Sequence, residues 1–327
     1  RSTPSNSSAA SDVYKRQGPD GVYVHLDWGP HGGGHGHPDK LALILYALGK
    51  ELAPDPGRLA YGASLHRTWF RQTAAHNTVC VDEQSQRPAE GRLIAFHDGE
   101  VVRIVRAECD TAYPGVMLRR TLVLADNYLL DVYEAEAEQP HVYDWFYHNV
   151  GTLQPGLATE PIQGPLGDDA GYQHITEVST GDGSATWQAE FTVPEVGRVR
   201  LTQLGEPGTR LYFGTGITGR DLTPCPVVLS RRETERTTWV SAIEWRPPGE
   251  GFAIESVERA RVTAPDAEAD NVLAVKVRRA DGYDVLLLRP GGAGRVEVEG
   301  VTTDADLCFF SVRGGEVTGL EHIDFSE

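Results

Sequence analysis

Six of the eleven histidines in this 327-residue sequence fall between His25 and His76, and four of them, His25, His31, His35 and His37, lie in or just before the stretch GPHGGGHGHPDK. Gly32 to Gly34 leave the backbone free to approach a ligand closely. His35 and His37, two apart, share a face if the segment is extended, and Asp39 joins them. Two chemistries suit such a group: metal binding by neutral imidazoles, and proton transfer near neutral pH. The plain alternative is a solvated glycine and histidine loop, since HxH alone is a short motif.

A second group follows. Asp55 sits in APDPG, and His66 to Gln86 read HRTWFRQTAAHNTVCVDEQSQ. If Arg67, Trp69 and Arg71 alternate along a strand, they place two cations and an aromatic on one surface, suited to a sugar ring carrying a carboxylate. Otherwise they form an ordinary wet face. His76 precedes Asn77 and the apolar run TVCV, which puts it at a strand entrance, where a buried, hydrogen-bonded imidazole is the alternative to a ligand. A cupin-type metal site wants Glu four or five residues after the second His of the HxH pair, but Leu41 and Ala42 stand there. No Ser or Cys nucleophile has triad support, and no phosphate-binding loop precedes a helix. Cys80, Cys109, Cys225 and Cys308 form no CxxC pair and read as isolated buried thiols, although an even count also permits disulfides.

The elements that must position these residues read as strands. From Val101 onward, short β-type runs are broken by Gly, Pro, Asn and Asp: Val101 to Arg106, Met117 to Tyr133, Ala185 to Val193, Arg198 to Leu204, Arg210 to Phe213, Thr237 to Trp245, Val272 to Arg278, Tyr283 to Leu288, Arg295 to Val298 and Leu307 to Val312. Alternation as in RVRLTQL marks strands with one buried and one wet face. The expectation is an all-β fold, a large antiparallel β-sandwich of the supersandwich kind. Lys40 to Leu52 has helical composition, but Pro38 and Gly49 favour a hairpin turning at Ala47 to Gly49, with both faces of its first arm buried. Arg246 to Gly251, RPPGEG, is the candidate internal boundary, or a long loop between sheets.

Composition narrows the partners. Thirty Lys and Arg against 47 Asp and Glu leave a net charge of -17, which opposes nonspecific binding to nucleic acid or to an anionic membrane. No run approaches the eighteen or more apolar residues of a spanning helix. The chain opens on Arg1 and its one Met is Met117, so it reads as a piece of something longer. Residues 1–17 form a Ser-rich leader, non-native or disordered, ahead of a domain over 18–327. With the native start missing, localisation is open, a periplasmic or secreted setting being favoured over a cytoplasmic one.

Taken together, DWGPHGGGHGHPDKLALILYALGKELAPDPG, YGASLHRTWFRQTAAHNTVCVDEQSQ and DWFYHNVG (Asp144 to Gly151) resemble the heparinase II/III-like polysaccharide lyases, including their oligoalginate lyase branch. The resemblance is densest over Asp27 to Gln86. It implies an all-β portion that follows an α/α toroid, absent from this sequence, with the active site in the cleft between the two. It carries an active-site role onto His35 and a zinc site onto His37, Asp55 and His76. The implied reaction is β-elimination in an anionic polysaccharide or oligosaccharide containing uronic acid. The zinc reads as a structural clamp ordering the loop that presents His35, and the chain alone is expected to be inactive or nearly so. Trp145 and His148 would line the same face or pack in the core. A noncatalytic carbohydrate-binding or spacer β domain, using Arg67, Trp69 and Arg71, is the competing expectation.

Overall fold

A computed structural model describes residues 10–14, 21–263, 272–292 and 294–325. The first four strands, β1 (Ala10–Tyr14), β2 (Tyr23–Asp27), β3 (Leu43–Ala47) and β4 (Lys50–Ala53), form an antiparallel sheet in sequence order. Part of the expected leader is therefore strand, its backbone paired with β2, while residues 1–9 and 15–17 lie outside the described residues. The hairpin expected at Lys40 to Leu52 is β3 and β4, joined by Leu48 and Gly49 at φ 54° and 74°. Two consecutive left-handed residues match the twist of the flanking strands. β3 buries one face and not both: Leu43, Leu45 and Ala47 point inward, while Ile44 and Tyr46 stay half-buried, because this sheet has the core on one side only.

The next twelve strands form one hydrogen-bonded system: β5 (Val79–Val81), β6 (Arg92–Asp98), β7 (Arg103–Tyr113), β8 (Val116–Leu124), β9 (Tyr128–His148), β10 (Thr152–Pro155), β11 (Glu160–Pro161), β12 (Thr176–Asp182), β13 (Trp187–Val193), β14 (Gly197–Gln203), β15 (Arg210–Thr218) and β16 (Thr223–Arg246). Its backbone is the antiparallel pairing of β9 with β16, 21 and 24 residues long, whose register shifts between Thr234 and Arg236. Each long strand serves two neighbourhoods: β16 pairs first with β15 and then with β14, and β9 pairs first with β8 and then with β5. The expected run Met117 to Tyr133 is thus two strands split at Ala125 to Asn127, and Thr237 to Trp245 is the end of one long strand.

After Arg246 the chain enters a separate five-stranded sheet, ordered β17 (Ile254–Arg259), β19 (Leu273–Arg279), β20 (Gly282–Leu288), β23 (Leu307–Arg313) and β24 (Glu316–Ile323). Three short strands, β18 (Val262–Thr263), β21 (Val296–Val298) and β22 (Val301–Thr303), cover it. The architecture is a large antiparallel β-sandwich.

One apolar cluster, with Trp145, Tyr147, Trp187, Phe191 and Trp239, joins the first sheet to the long one. A second packs Ile104, Val123, Leu130 and Val240 of the long sheet against Val275, Val277, Leu286 and Phe309. Each such side chain contributes about 1.5–3 kcal/mol on burial. All four cysteines are free and buried.

Candidate functional site

Three loops converge at the mouth of the first sheet. The first leaves β2 and makes a 3-10 turn at Gly33–His35, entered through Gly32 and Gly33 at φ 77° and 62°. A Cβ on Gly36 would stand 1.3 Å from the His31 carbonyl oxygen, so the residue between His35 and His37 has to be glycine for the loop to close this tightly. The loop is then pinned from below. Thr73 Oγ1 donates to the Pro38 carbonyl at 2.7 Å, and Gln86 brackets Lys40, accepting from its N–H at 2.7 Å and donating to its carbonyl at 3.0 Å.

The second loop carries Asp55, whose Oδ1 accepts the Gly57 N–H at 2.8 Å and so orients the carboxylate. The third is a one-turn π-helix, His66–Phe70, followed by a 3-10 turn, Thr73–Ala75, that delivers His76 to the entrance of β5. Asn77 ties these parts together. Its Nδ2 donates to the carbonyls of Leu43 and Pro54 at 2.9 and 3.3 Å, and its Oδ1 accepts the His148 N–H at 2.6 Å.

These loops place ligating atoms of His37, Asp39, Asp55 and His76 within 4.8 Å of one another. His37 Nδ1 lies 3.2 Å from His76 Nε2, which lies 3.6 Å from Asp55 Oδ2. Bond lengths of 2.0–2.1 Å in a tetrahedral set predict donor separations of about 3.3–3.5 Å, so both spacings suit one small divalent cation. The tautomer fits as well. His76 Nδ1 donates to the Gln72 carbonyl at 2.9 Å, which leaves the Nε2 lone pair facing the cluster. A cavity of about 60 Å³, bounded by Asp39, Asp55 and His76, adjoins the donors.

Electrostatics keep the His37 imidazole neutral. Burial, and then the neighbouring His76, lower the His37 pKa to about 4. Asp39 is held by the buried ammonium of Lys40 at 3.1 Å, and the same ammonium reaches Asp27 at 3.0 Å. Burial would lower the Lys40 pKa, but Asp39 and Asp27 outweigh it and raise the value. Burial and repulsion from Asp39 hold the Asp27 carboxyl above the usual range despite Lys40.

On the outer side of the loop, exposed His35 turns its Nδ1 to the hydroxyl of Tyr61, which is 52% exposed. Tyr61 packs edge-on against the buried His66 ring, with centroids 5.2 Å apart. Burial, followed by the guanidiniums of Arg71, Arg58 and Arg67, holds the His66 imidazole below its usual pKa.

The structure thus gathers His37, Asp55 and His76 and sets His35 beside them. It does not build the expected surface of Arg67, Trp69 and Arg71. Those residues lie on and just after the π-helical turn, where side chains do not alternate, so Trp69 is fully buried and its Nε1 donates to the Ile217 carbonyl at 2.7 Å. Arg67 is exposed and Arg71 half-buried. Trp145 and His148 are both buried, and His148 contacts the Asn77 side chain. Tyr61, Lys40, Gln72 and Asn77 were not singled out by spacing. An exposed Tyr beside a glycine, in AYGAS, is a faint signal for the first, and none marks the others.

Both the sequence and the fold have known counterparts. The family description "Heparinase II/III-like, C-terminal" matches residues 1–207, and the chain belongs to that family. It is 34% identical over 173 residues to an alginate lyase of Stenotrophomonas maltophilia, an alignment covering 44% of this chain and 23% of the relative. It is 31% identical over 189 residues to an exo-oligoalginate lyase of Saccharophagus degradans, covering 48% and 26%. Among solved structures, a heparan sulfate lyase from Pedobacter heparinus superposes with a TM-score of 0.63 at 14% identity, covering 94% of this chain and 42% of that one. A heparinase III structure gives 0.61 at 14% identity, covering 95% and 43%. The chain therefore spans about a quarter of the length of these two curated relatives.

Proposed function

We propose that the chain is the β domain of a polysaccharide lyase that cleaves uronate-containing glycans by β-elimination, with His35 and Tyr61 as its proton-transfer pair. One observation carries the reading: an exposed imidazole and an exposed phenol in contact, on loops braced by the cluster of His37, Asp39, Asp55 and His76. The sequence similarity to alginate lyases supports the substrate class.

In such a reaction a base takes the proton at C5, α to the uronate carboxylate. The freed electron pair becomes the C4–C5 double bond, the C4–O4 bond breaks, and O4 departs with a proton from an acid. His35 and Tyr61 are two groups of different basicity that share a hydrogen bond, so they are suited to moving a proton near one sugar ring. Neutralising the carboxylate needs cations or hydrogen-bond donors on its other side. Both groups face open solvent on this chain, so a bound sugar would meet one wall only, and we expect little or no turnover without an upstream α/α toroid.

His37, Asp55 and His76 would hold zinc, with Asp39 within reach. The ion would supply a fixed positive centre that cross-links the three loops. The two histidines and Asp55 would thereby stiffen the turn presenting His35, a structural role.

The test pairs the chain with its upstream domain and follows the ultraviolet absorbance of unsaturated product from oligouronate. The lyase reading requires His35→Ala to lower kcat/KM by orders of magnitude, whereas a noncatalytic carbohydrate-binding domain would show mainly weakened affinity.

A further inference from the structure

The face of the long sheet that packs on the C-terminal sheet changes character along its strands. Ile104, Val123, Val132 and Val240 are apolar and covered. Further along the same strands this face turns charged, since every second side chain shares it. Register aligns the charges in a row: Arg92 of β6 lies opposite Glu108 of β7, Glu108 opposite Arg119 of β8, Arg119 opposite Glu134 of β9, and Glu134 opposite Thr238 of β16. Strands of the smaller sheet end or begin above this row, at Arg259 and Leu273, and leave a cavity of about 410 Å³. The volume lies within the range of small-molecule sites.

Four arginines line the cavity, Arg106, Arg119, Arg236 and Arg259, against two glutamates, Glu134 and Glu136. The positive excess survives the next ring of charge. Glu108 stands behind Arg119 and Glu206 behind Arg259, but Arg92 accompanies the first and the buried Arg232 the second. Such an excess is a local reversal in a chain of net charge -17. The guanidiniums also keep donors in reserve. Arg106 is 2% exposed, and its Nη1 donates to Thr121 Oγ1 and Glu134 Oε2, both at 2.6 Å. Its Nε and Nη2, the paired edge, have no hydrogen-bond partner among the described residues. Arg119 and Arg236 share Glu136, at 3.2 and 2.5 Å.

We infer that this cleft is a second glycan-contact site, which holds an acidic sugar unit and does no chemistry. A guanidinium offers paired N–H donors in the geometry that a carboxylate accepts, and Arg106 has that edge free. Glu134 and Glu136 accept from sugar hydroxyls, and Leu273 and Pro290 supply an apolar wall for the C–H face of a pyranose ring. The cleft is remote from the histidine loops. Glu136 stands twelve residues before His148 on β9, up to about 40 Å at the rise of an extended strand. A sugar held here is therefore not the one that meets His35, and the site does not depend on the lyase reading.

The experiment titrates the 327-residue chain with a diuronate, with its carboxyl-reduced, neutral counterpart and with inorganic sulfate, by calorimetry at two salt concentrations. Expected are a diuronate event that weakens with salt, at least tenfold weaker binding of the neutral sugar, and competition by sulfate only at far higher concentration. Arg236→Ala and Arg259→Ala should each raise the Kd of that event about fivefold, and the double variant should lose it. Thermal unfolding of these variants should match the parent, because both side chains are exposed and their ion pairs are surface pairs. His35→Ala should leave the event unaltered. Parent affinity in the double variant, equal affinity for the two sugars, or no binding of diuronate would overturn the site. Loss of the event in His35→Ala would place it at the histidine mouth instead, and sulfate competing as well as diuronate would reduce the cleft to a simple anion site; either result overturns the inference. Failure of the lyase reading looks different: binding that depends on Arg236 and Arg259 would persist, while the chain joined to its upstream domain would release no unsaturated product.

Discussion

Arg120 Nη1 donates to the carbonyl oxygen of Asn77 at 2.5 Å, and through this bond the core of the sandwich holds the histidine loops. The same nitrogen reaches the Leu41 carbonyl at 2.7 Å, while Nε and Nη2 grip Asp131 at 2.8 and 2.6 Å. Both side chains are wholly excluded from solvent. Leu41 follows the HGHPD segment, and Asn77 follows His76, so one guanidinium sets the separation of two ligand-bearing segments.

Arg120→Ala strips a buried carboxylate of its partner and orphans two carbonyls. We expect a loss of about 3–5 kcal/mol in unfolding free energy. Chemical denaturation measures it. A variant destabilised by less than 1 kcal/mol would show that the pair does not brace the site.

The cluster itself predicts linked metal content and stability. His76→Ala and His37→Ala should each lower bound zinc, measured by elemental analysis, and lower Tm; a chelator should lower the Tm of the parent in the same way. For His76, lost packing and the orphaned Gln72 carbonyl add a metal-independent part, about 2 kcal/mol. Zinc lost with melting unchanged would contradict the clamp.

Acid should destabilise the metal-free chain in a defined window. Burial, and then His76, depress the pKa of His148 to about 3, and His37 stands at about 4. The unfolded chain, with histidine near 6.5, binds more protons between those values, so stability rises with pH from about 3 to about 6.5 and levels off above. Asp27, with a raised pKa, acts in the opposite sense. Denaturant melts at stepped pH on His148→Gln should lose close to one proton of that slope; an unaltered acid limb would reject the assignment.

For the reaction, Tyr61→Phe should reduce turnover in the protein joined to its upstream domain by about 10²-fold or more, with little change in Tm, because the ring and its packing on His66 are retained. Rates within twofold of the parent would remove Tyr61 from the proton-transfer pair.

Alternation and turn residues made the antiparallel sandwich legible in the sequence. The hairpin at Leu48–Gly49 was legible too, since Gly49 supplies one of the left-handed positions of a tight turn, although Leu48 at the other gives no such signal. Ligand-type residues close together in the chain, His35, His37, Asp55 and His76, were likewise visible. The partners of these groups depended on tertiary structure. Trp69 turned inward because three loops had to pack over the sheet, and a helical turn, not a strand, fits that corner. Tyr61 met His35 across 26 positions, and the tip of the β15–β16 hairpin met the Asp55 loop through the Gly219 N–H and the Pro56 carbonyl, from far along the chain. Periodicity reports which face of an element is buried, a local property of the backbone. Which loops meet at the mouth of a sheet is decided by strand order and register, and those emerge only when the whole core has packed.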